Sequence, residues 1–84
     1  MAIKDDFEKA QDDVKTLKEK PDNTILLELY ALYKQGTEGD AAGRRPGIMD
    51  PVGRAKFDAW AMKKGASSDD AMKAYIACVK KLLA

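Results

Sequence analysis

Apolar residues recur at intervals of three and four along most of this chain, a spacing that is typical of amphipathic helices. The stripe near the N-terminus consists of Ile3, Phe7, Ala10, Val14 and Leu17. A second stripe near the C-terminus consists of Ala71, Met72, Tyr75, Cys78, Val79 and Leu82. No stretch of useful length alternates between polar and apolar residues as a strand would. We therefore predict an all-α fold.

The first two helices are predicted from this periodicity and from capping signals. The first should run from about Lys4 to Leu17, and Asp5 with Glu8 three residues later resembles a capping box. The second should begin with Asn23 as its N-cap and contain the apolar stretch 25–33.

A long loop is predicted over residues 36–50, because four glycines and a proline interrupt any periodic pattern there. Arg44 and Arg45 place positive charge on this loop. Both a functional loop and a flexible spacer with solvated arginines fit this pattern.

The last two helices have clear boundaries in the sequence. Asp50 followed by a proline predicts the start of a third helix that runs to about Lys64. Gly65 fits the left-handed residue that closes a helix, and Ser67 should cap the fourth helix with an aspartate three residues later.

The second helix has two apolar faces. At about 100° per residue, Ile25, Leu29 and Leu32 lie on one side. The opposite side carries Leu26, Leu27, Tyr30, Tyr33 and Lys34. Two interpretations remain open at this point: the helix could be central and contact every neighbour, or its second face could line a groove for an amphipathic ligand.

Composition argues against several classes of function. The formal net charge of +1 provides no bulk attraction to nucleic acid. The chain has no histidine and a single cysteine, Cys78, so the commonest general base is missing and a zinc site cannot be assembled. We therefore expect neither an enzyme nor a metalloprotein, and Cys78 is expected to pack in the core.

Length and apolar content predict the chain's organisation. With 84 residues, the chain is expected to form one domain, residues 1–84. Its single cysteine makes a reducing compartment the simpler expectation, so we predict a cytoplasmic protein. No apolar run is long enough to span a bilayer, and no stable membrane insertion is expected.

Two lysines lie close to aromatic residues along the predicted helices. Lys34 follows Tyr30 and Tyr33 on one helix, and Lys56 lies one turn before Trp60 on another. Such pairs are suited to binding an anionic group together with a ring. The alternative is that the aromatic residues belong to an ordinary core and the lysines extend along its rim.

Several segments in their order resemble the acyl-CoA-binding protein family over essentially the whole chain. These segments are Leu17-Lys18 with Lys20-Pro21, Tyr30 with Tyr33-Lys34-Gln35, Arg45-Pro46-Gly47, Lys56-Phe57-Asp58-Ala59-Trp60 and Asp70-Ala71-Met72-Lys73-Ala74-Tyr75-Ile76. The chain departs from the family pattern at Gln11, Gly36, Pro51 and Phe57.

The resemblance implies an up-down-down-up bundle of four helices that binds long-chain acyl-CoA and carries it without covalent chemistry. The positions that match the family's head-group site are Lys15, Tyr30, Tyr33, Lys34, Lys56 and Tyr75. Leu26 and Leu27 match positions that cover the acyl chain, and Gln11 would crowd or polarise that groove. A monomeric carrier in fatty acid metabolism is expected, with no cofactor beyond this ligand. The competing hypothesis is a helical interaction module whose groove accepts a partner helix.

Overall fold

The computed structural model describes residues 2–84, and within this range the chain forms four α-helices and no strand. The helices are α1 (Ile3–Val14), α2 (Asn23–Glu38), α3 (Pro51–Ala61) and α4 (Ser68–Leu83). The predicted all-α class is confirmed.

The predicted caps of the first two helices are wrong, while those of the last two are correct. Asp22 rather than Asn23 caps α2, since the Asp22 side chain accepts a hydrogen bond of 2.9 Å from the Ile25 amide. No capping box opens α1, because its N-cap is Ala2 and Asp5 lies inside the first turn. Asp50 and Ser67 cap α3 and α4 as predicted.

The helix ends also differ from the predicted ones. The second helix continues through Gly36 to Glu38, so the loop covers residues 39–50. The third helix ends at Ala61, and a turn follows in which the Lys63 and Lys64 amides donate to carbonyls three residues earlier. Gly65 has a φ of +93°, as predicted for a residue that closes this segment.

The first and last helices form the centre of the core and run parallel. Phe7 of α1 packs edge-on against Tyr75 of α4, with ring centroids 5.1 Å apart. Further along, Asp13 and Leu83 line the same depression between these helices. The buried cluster consists of Phe7, Ala10, Leu29, Leu32, Tyr75 and Val79, and Cys78 packs against it as expected.

The second helix crosses α4 in the opposite direction. Gly36 is buried there, and a Cβ atom at this position would lie 3.2 Å from Cγ of Met72. Earlier on α2, Glu28 lies near Cys78, where burial first and then the carboxylate raise the pKa of the thiol. The second helix is therefore antiparallel to α1 and α4, as in the up-down-down-up order that the family resemblance implies.

A hydrogen-bonded network joins the end of α2 to the turn before α4. Gln35 is fully buried, and its Nε2 donates to Asp40 Oδ1 and to the Ala66 carbonyl, each at 2.8 Å. The Gly65 amide also donates to Asp40 Oδ1, at 2.9 Å. The bond from Gly65, followed by that from Gln35, lowers the pKa of Asp40.

The loop over residues 39–50 is held in place at two points. The Trp60 indole donates to the Gly39 carbonyl at 2.8 Å. Arg45 donates two hydrogen bonds, of 2.8 and 2.7 Å, to the Asp58 carboxylate and thereby lowers the pKa of Asp58. This loop is thus fixed against α3, unlike the flexible spacer that the sequence left open.

Candidate functional site

An open groove lies between α2 and α3, with a volume of about 630 Å³. It is lined by Lys20, Asn23, Leu26, Leu27, Tyr30, Pro51, Val52, Ala55 and Lys56. Leu26 and Leu27 are only half-buried, and α3 forms the opposite wall of the groove without closing it. The second apolar face predicted for this helix is therefore left open to a ligand.

A second depression of about 580 Å³ adjoins this groove and shares Lys20, Leu26 and Tyr30 with it. Its walls come from α1, from the segment that follows α1, from α2 and from Tyr75 of α4. The lining residues are Val14, Lys15, Leu17, Lys18, Glu19, Lys20, Pro21, Leu26, Leu29, Tyr30, Tyr33 and Tyr75. The two depressions together form one cleft. Its α2–α3 part carries Lys20 and Lys56 beside its apolar side chains, and its other part, the lysine- and tyrosine-rich depression, is lined by three lysines and three tyrosines.

The two lysines form cation–π pairs across the α2–α3 boundary. Lys34 of α2 lies over the Trp60 ring with its Nζ 4.9 Å from the centroid, and Lys56 of α3 lies over Tyr30 at 5.4 Å. Tyr30 precedes Lys34 on α2, and their partners Lys56 and Trp60 follow in the same order on α3, so the two helices run parallel. The boundary therefore presents two cations, each beside an aromatic ring.

Lys34 has an additional partner, because its Nζ donates a hydrogen bond to Oε2 of Glu38 one turn later. This hydrogen bond is the main reason why the pKa of Lys34 is raised. Glu38 therefore already forms an ion pair with one of the two cations at the boundary.

Tyr75 connects the cleft to the hydrophobic core. Its ring is buried and packs on Phe7, while one edge lines the lysine- and tyrosine-rich depression. Burial raises the pKa of its phenol, and a phenol hydroxyl can donate a hydrogen bond. Tyr33 stacks against Phe7 on the exposed side, with centroids 6.1 Å apart.

The structure brings most of the predicted site residues to this cleft. Lys15, Tyr30, Tyr33 and Tyr75 line the lysine- and tyrosine-rich depression. Leu26, Leu27 and Lys56 line the α2–α3 groove, as Tyr30 does. Lys34 is not among the lining side chains and lies at the edge, over Trp60.

Gln11 does not lie in the α2–α3 groove where it was expected to affect an acyl chain. It lines a separate depression with Phe7, Tyr33 and Met72, and its Nε2 donates to the Phe7 carbonyl at 3.4 Å. Gln11 on α1 therefore lines a different depression from Leu26 and Leu27.

Several side chains of the site were missed by sequence reasoning. Val52 and Ala55 line the groove beside Lys56. Their spacing of three and four residues places them on one helical face with Lys56, a signal that could have identified them. Glu38 was missed because α2 was predicted to end before it.

The side chains of this cleft are suited to binding an amphipathic anion rather than a metal ion. Within residues 2–84, no group of three His, Cys, Asp or Glu side chains is arranged to hold a metal ion. None of the four helices is both long and apolar enough to cross a membrane. Fold and cleft thus define a small helical protein that binds a ligand with an apolar tail and an anionic head.

Comparison with known proteins identifies the family to which this chain belongs. The family model for acyl-CoA-binding protein matches residues 4–79, and the chain belongs to this family. An acyl-CoA-binding protein homolog from Manduca sexta is 51% identical over 85 residues, covering 100% of this chain and 94% of that protein. Homolog 1 from Caenorhabditis elegans is 54% identical over 78 residues, covering 93% of this chain and 91% of that protein.

Solved structures agree with this assignment. The crystal structure of acyl-CoA-binding protein 2 from Oryza sativa superposes with a TM-score of 0.92 at 42% identity, covering 96% of this chain and 88% of that one. The resemblance inferred from the sequence is confirmed.

Proposed function

We propose that this protein binds long-chain acyl-CoA in the cleft beside α2 and carries it without changing a covalent bond. The observation that supports this most strongly is the continuity of the apolar α2–α3 groove with the lysine- and tyrosine-rich depression through Leu26 and Tyr30. An acyl-CoA has the matching division into an apolar tail and a phosphorylated head.

The acyl tail is assigned to the groove lined by Leu26 and Leu27. Each methylene that leaves water contributes about 0.8 kcal/mol, so a tail of about sixteen carbons could contribute roughly 12 kcal/mol before the costs of ordering. Because the groove is open on one side, the measured contribution should be smaller. Tail length should nevertheless be the main determinant of affinity.

The head group is assigned to Lys15, Tyr30, Tyr33, Lys34, Lys56 and Tyr75. Lysine ammonium groups can bind phosphate oxygens, and charge-assisted hydrogen bonds of this kind contribute about 1.5–3 kcal/mol each. The aromatic rings of Tyr30 and Tyr33 offer surfaces on which the adenine ring could stack. The head-group contacts should distinguish CoA esters from free fatty acids.

The proposal includes a single-domain monomer that works in the cytoplasm and carries no catalytic residue, cofactor or nucleic acid. Its role would be to keep acyl-CoA out of water and to deliver it to enzymes of fatty acid metabolism.

Titration calorimetry tests this function with three ligands. We expect long-chain acyl-CoA to bind far more tightly than CoA, and the free fatty acid to bind weakly, because each fragment retains one half of the contacts. Equal affinities for CoA and its long-chain ester would contradict the proposed groove. If a peptide helix bound equally well in excess acyl-CoA, the protein would be an interaction module instead.

Alanine substitutions test the assignment of the site. Tyr30→Ala, Lys34→Ala and Lys56→Ala should each weaken binding of long-chain acyl-CoA. The matched control is Lys81→Ala, since Lys81 is exposed on α4 and lines neither depression. The two lysine variants of the site should unfold at nearly the wild-type temperature, so a loss of affinity would report contacts rather than folding. Unchanged affinity in all three variants would refute the assignment.

A further inference from the structure

Two large apolar side chains project into solvent beside the mouth of the α2–α3 groove. Ile48 is 80% exposed and Met49 is 93% exposed. The neighbouring Val52 is also exposed, and together with Pro51 it lines the groove. This apolar tip, residues 48–52, is thus continuous with the apolar wall of the site.

The tip is held in a defined shape. The Asp50 amide donates to the Gly47 carbonyl at 3.0 Å, which closes a turn with Ile48 and Met49 at its two central positions. On one side the Asp50 side chain accepts from the Gly53 amide at 3.0 Å. On the other side, Arg45 is fixed to Asp58. These bonds hold the backbone on both sides of the two apolar side chains.

Positive charge is concentrated around this tip. Residues 44–58 contain four basic side chains, Arg44, Arg45, Arg54 and Lys56, and two acidic ones, Asp50 and the Asp58 that pairs with Arg45, for a net charge of +2. The whole chain has a net charge of +1, so the rest of it carries a net charge of −1. A surface that attracts this segment must therefore be anionic, and it must accept apolar side chains.

We propose that the apolar tip docks reversibly on an anionic phospholipid bilayer, with Ile48 and Met49 in the interface and Arg44 and Arg54 over the lipid head groups. A protruding tip of two side chains inserts readily between lipid head groups. A stable protein interface would need a much larger matched surface, about 800 Å² on each partner.

Docking in this orientation would place the groove mouth at the bilayer surface. Pro51 and Val52 belong both to the tip and to the groove wall, so an acyl chain could pass between lipid and protein along one apolar surface. This role in loading the ligand rests on the proposed function, whereas docking itself does not.

Co-sedimentation with vesicles tests the docking. The full-length protein is mixed with phosphatidylcholine vesicles, with or without phosphatidylserine. Each arginine or lysine near an anionic surface strengthens binding about fivefold, so the partition coefficient should be at least tenfold higher on the phosphatidylserine vesicles. The combined substitutions Ile48→Ser and Met49→Ser should lower the partition coefficient by about tenfold or more, because two large apolar side chains no longer leave water when the tip docks.

Two further variants separate the apolar and charged parts of the tip. Met62→Ser removes a side chain that is 85% exposed at the other end of α3, and it should leave the partition unchanged. The combined substitutions Arg44→Gln and Arg54→Gln should weaken binding about 25-fold on phosphatidylserine vesicles and leave any binding to phosphatidylcholine unchanged.

Fluorescence gives a second readout that does not depend on sedimentation. Trp60 is the only tryptophan and is buried, so its emission should not respond to vesicles. In Ile48→Trp the introduced ring should shift its emission to the blue when phosphatidylserine vesicles are added.

The proposal is overturned if wild-type protein does not bind phosphatidylserine vesicles, if it binds both vesicle types equally, or if the double serine variant binds like wild type. The double serine variant should retain wild-type affinity for long-chain acyl-CoA in vesicle-free solution. Failure of docking and failure of ligand binding are therefore measured separately.

Discussion

Replacement of Glu38 by glutamine should tighten ligand binding while weakening the fold. In the free protein Glu38 accepts a hydrogen bond from the Lys34 ammonium, which is one of the two cations proposed to bind the head group. An anionic ligand must compete with this carboxylate for Lys34. Glu38→Gln removes the competing charge and keeps the size of the side chain.

The magnitude follows from the exposure of this ion pair. The Glu38 side chain is 52% exposed, and pairs of this kind at a spacing of four residues contribute about 0.3–0.5 kcal/mol, and at most about 1 kcal/mol. Freeing Lys34 should therefore increase the affinity about two- to fivefold. The same substitution should lower the free energy of unfolding by about 0.3–0.5 kcal/mol.

The chain provides a closely matched control in Glu28. Its side chain is 47% exposed and pairs with Lys63 at 2.7 Å, and neither residue lines the cleft. Glu28→Gln should cost similar stability in urea unfolding without changing the affinity in titration calorimetry. In the Lys34→Ala background, Glu38→Gln should have no effect on affinity. Unchanged affinity in Glu38→Gln, or an equal gain in Glu28→Gln, would refute the competition.

Three further predictions concern stability. Gln35→Glu places a buried carboxylate beside Asp40 and should cost about 3–5 kcal/mol in urea unfolding at neutral pH, more than Gln35→Met, which adds no charge; equal costs would contradict this. Gly36→Ala gains up to about 1 kcal/mol of helix propensity, and its new methyl group would lie close to the flexible Met72 side chain. Calorimetry should therefore show a Tm about 2–4 °C higher. A lower Tm would mean that α2 and α4 cannot adjust to the methyl group where they cross. The pKa values of Asp40 and Asp58 are lowered in the folded protein, so these carboxylates contribute stability that is present above about pH 4 and is lost as pH falls through the folded-state values. The urea concentration at the midpoint of unfolding should therefore decrease when the pH is below about 4, and it should decrease less in Asp40→Asn. An equal decrease in Asp40→Asn would mean that the Asp40 carboxylate does not contribute.

The sequence predicted the number of helices because the signals for helices are local or periodic, whereas their up-down-down-up order was implied only by the family resemblance. Gly65 and Ser67 mark the start of α4 without any tertiary information. The cap of α2 was placed one residue too late, since Asp22 and Asn23 are adjacent and both can cap. Backbone geometry decides between two such neighbours, and the sequence does not record it.

The end of α2 could not be predicted, because it depends on contacts between distant residues. Gly36 normally weakens a helix, but here it is buried against Met72 and Phe7. Gln35 just before it bonds to the Ala66 carbonyl, 31 residues away. Such tertiary contacts override the local preference of glycine.

The residue types of the candidate site were predicted more completely than their pairings. Lys56 was expected to act beside Trp60 on its own helix, whereas it lies over Tyr30 across the helix boundary. Lys56 lies over Tyr30 rather than Trp60 because α2 and α3 run parallel at one particular register. Periodicity places a residue on a face of its helix but does not say what that face meets.

Isotope-filtered NMR of the complex with long-chain acyl-CoA tests the central assignment most directly, since it reports contacts between ligand and protein protons. We expect contacts from the acyl methylenes to the methyl groups of Leu26, Leu27 and Val52 in the α2–α3 groove. Contacts to Ile3 and Ile76 in the depression between α1 and α4 instead, with none in the groove, would contradict it.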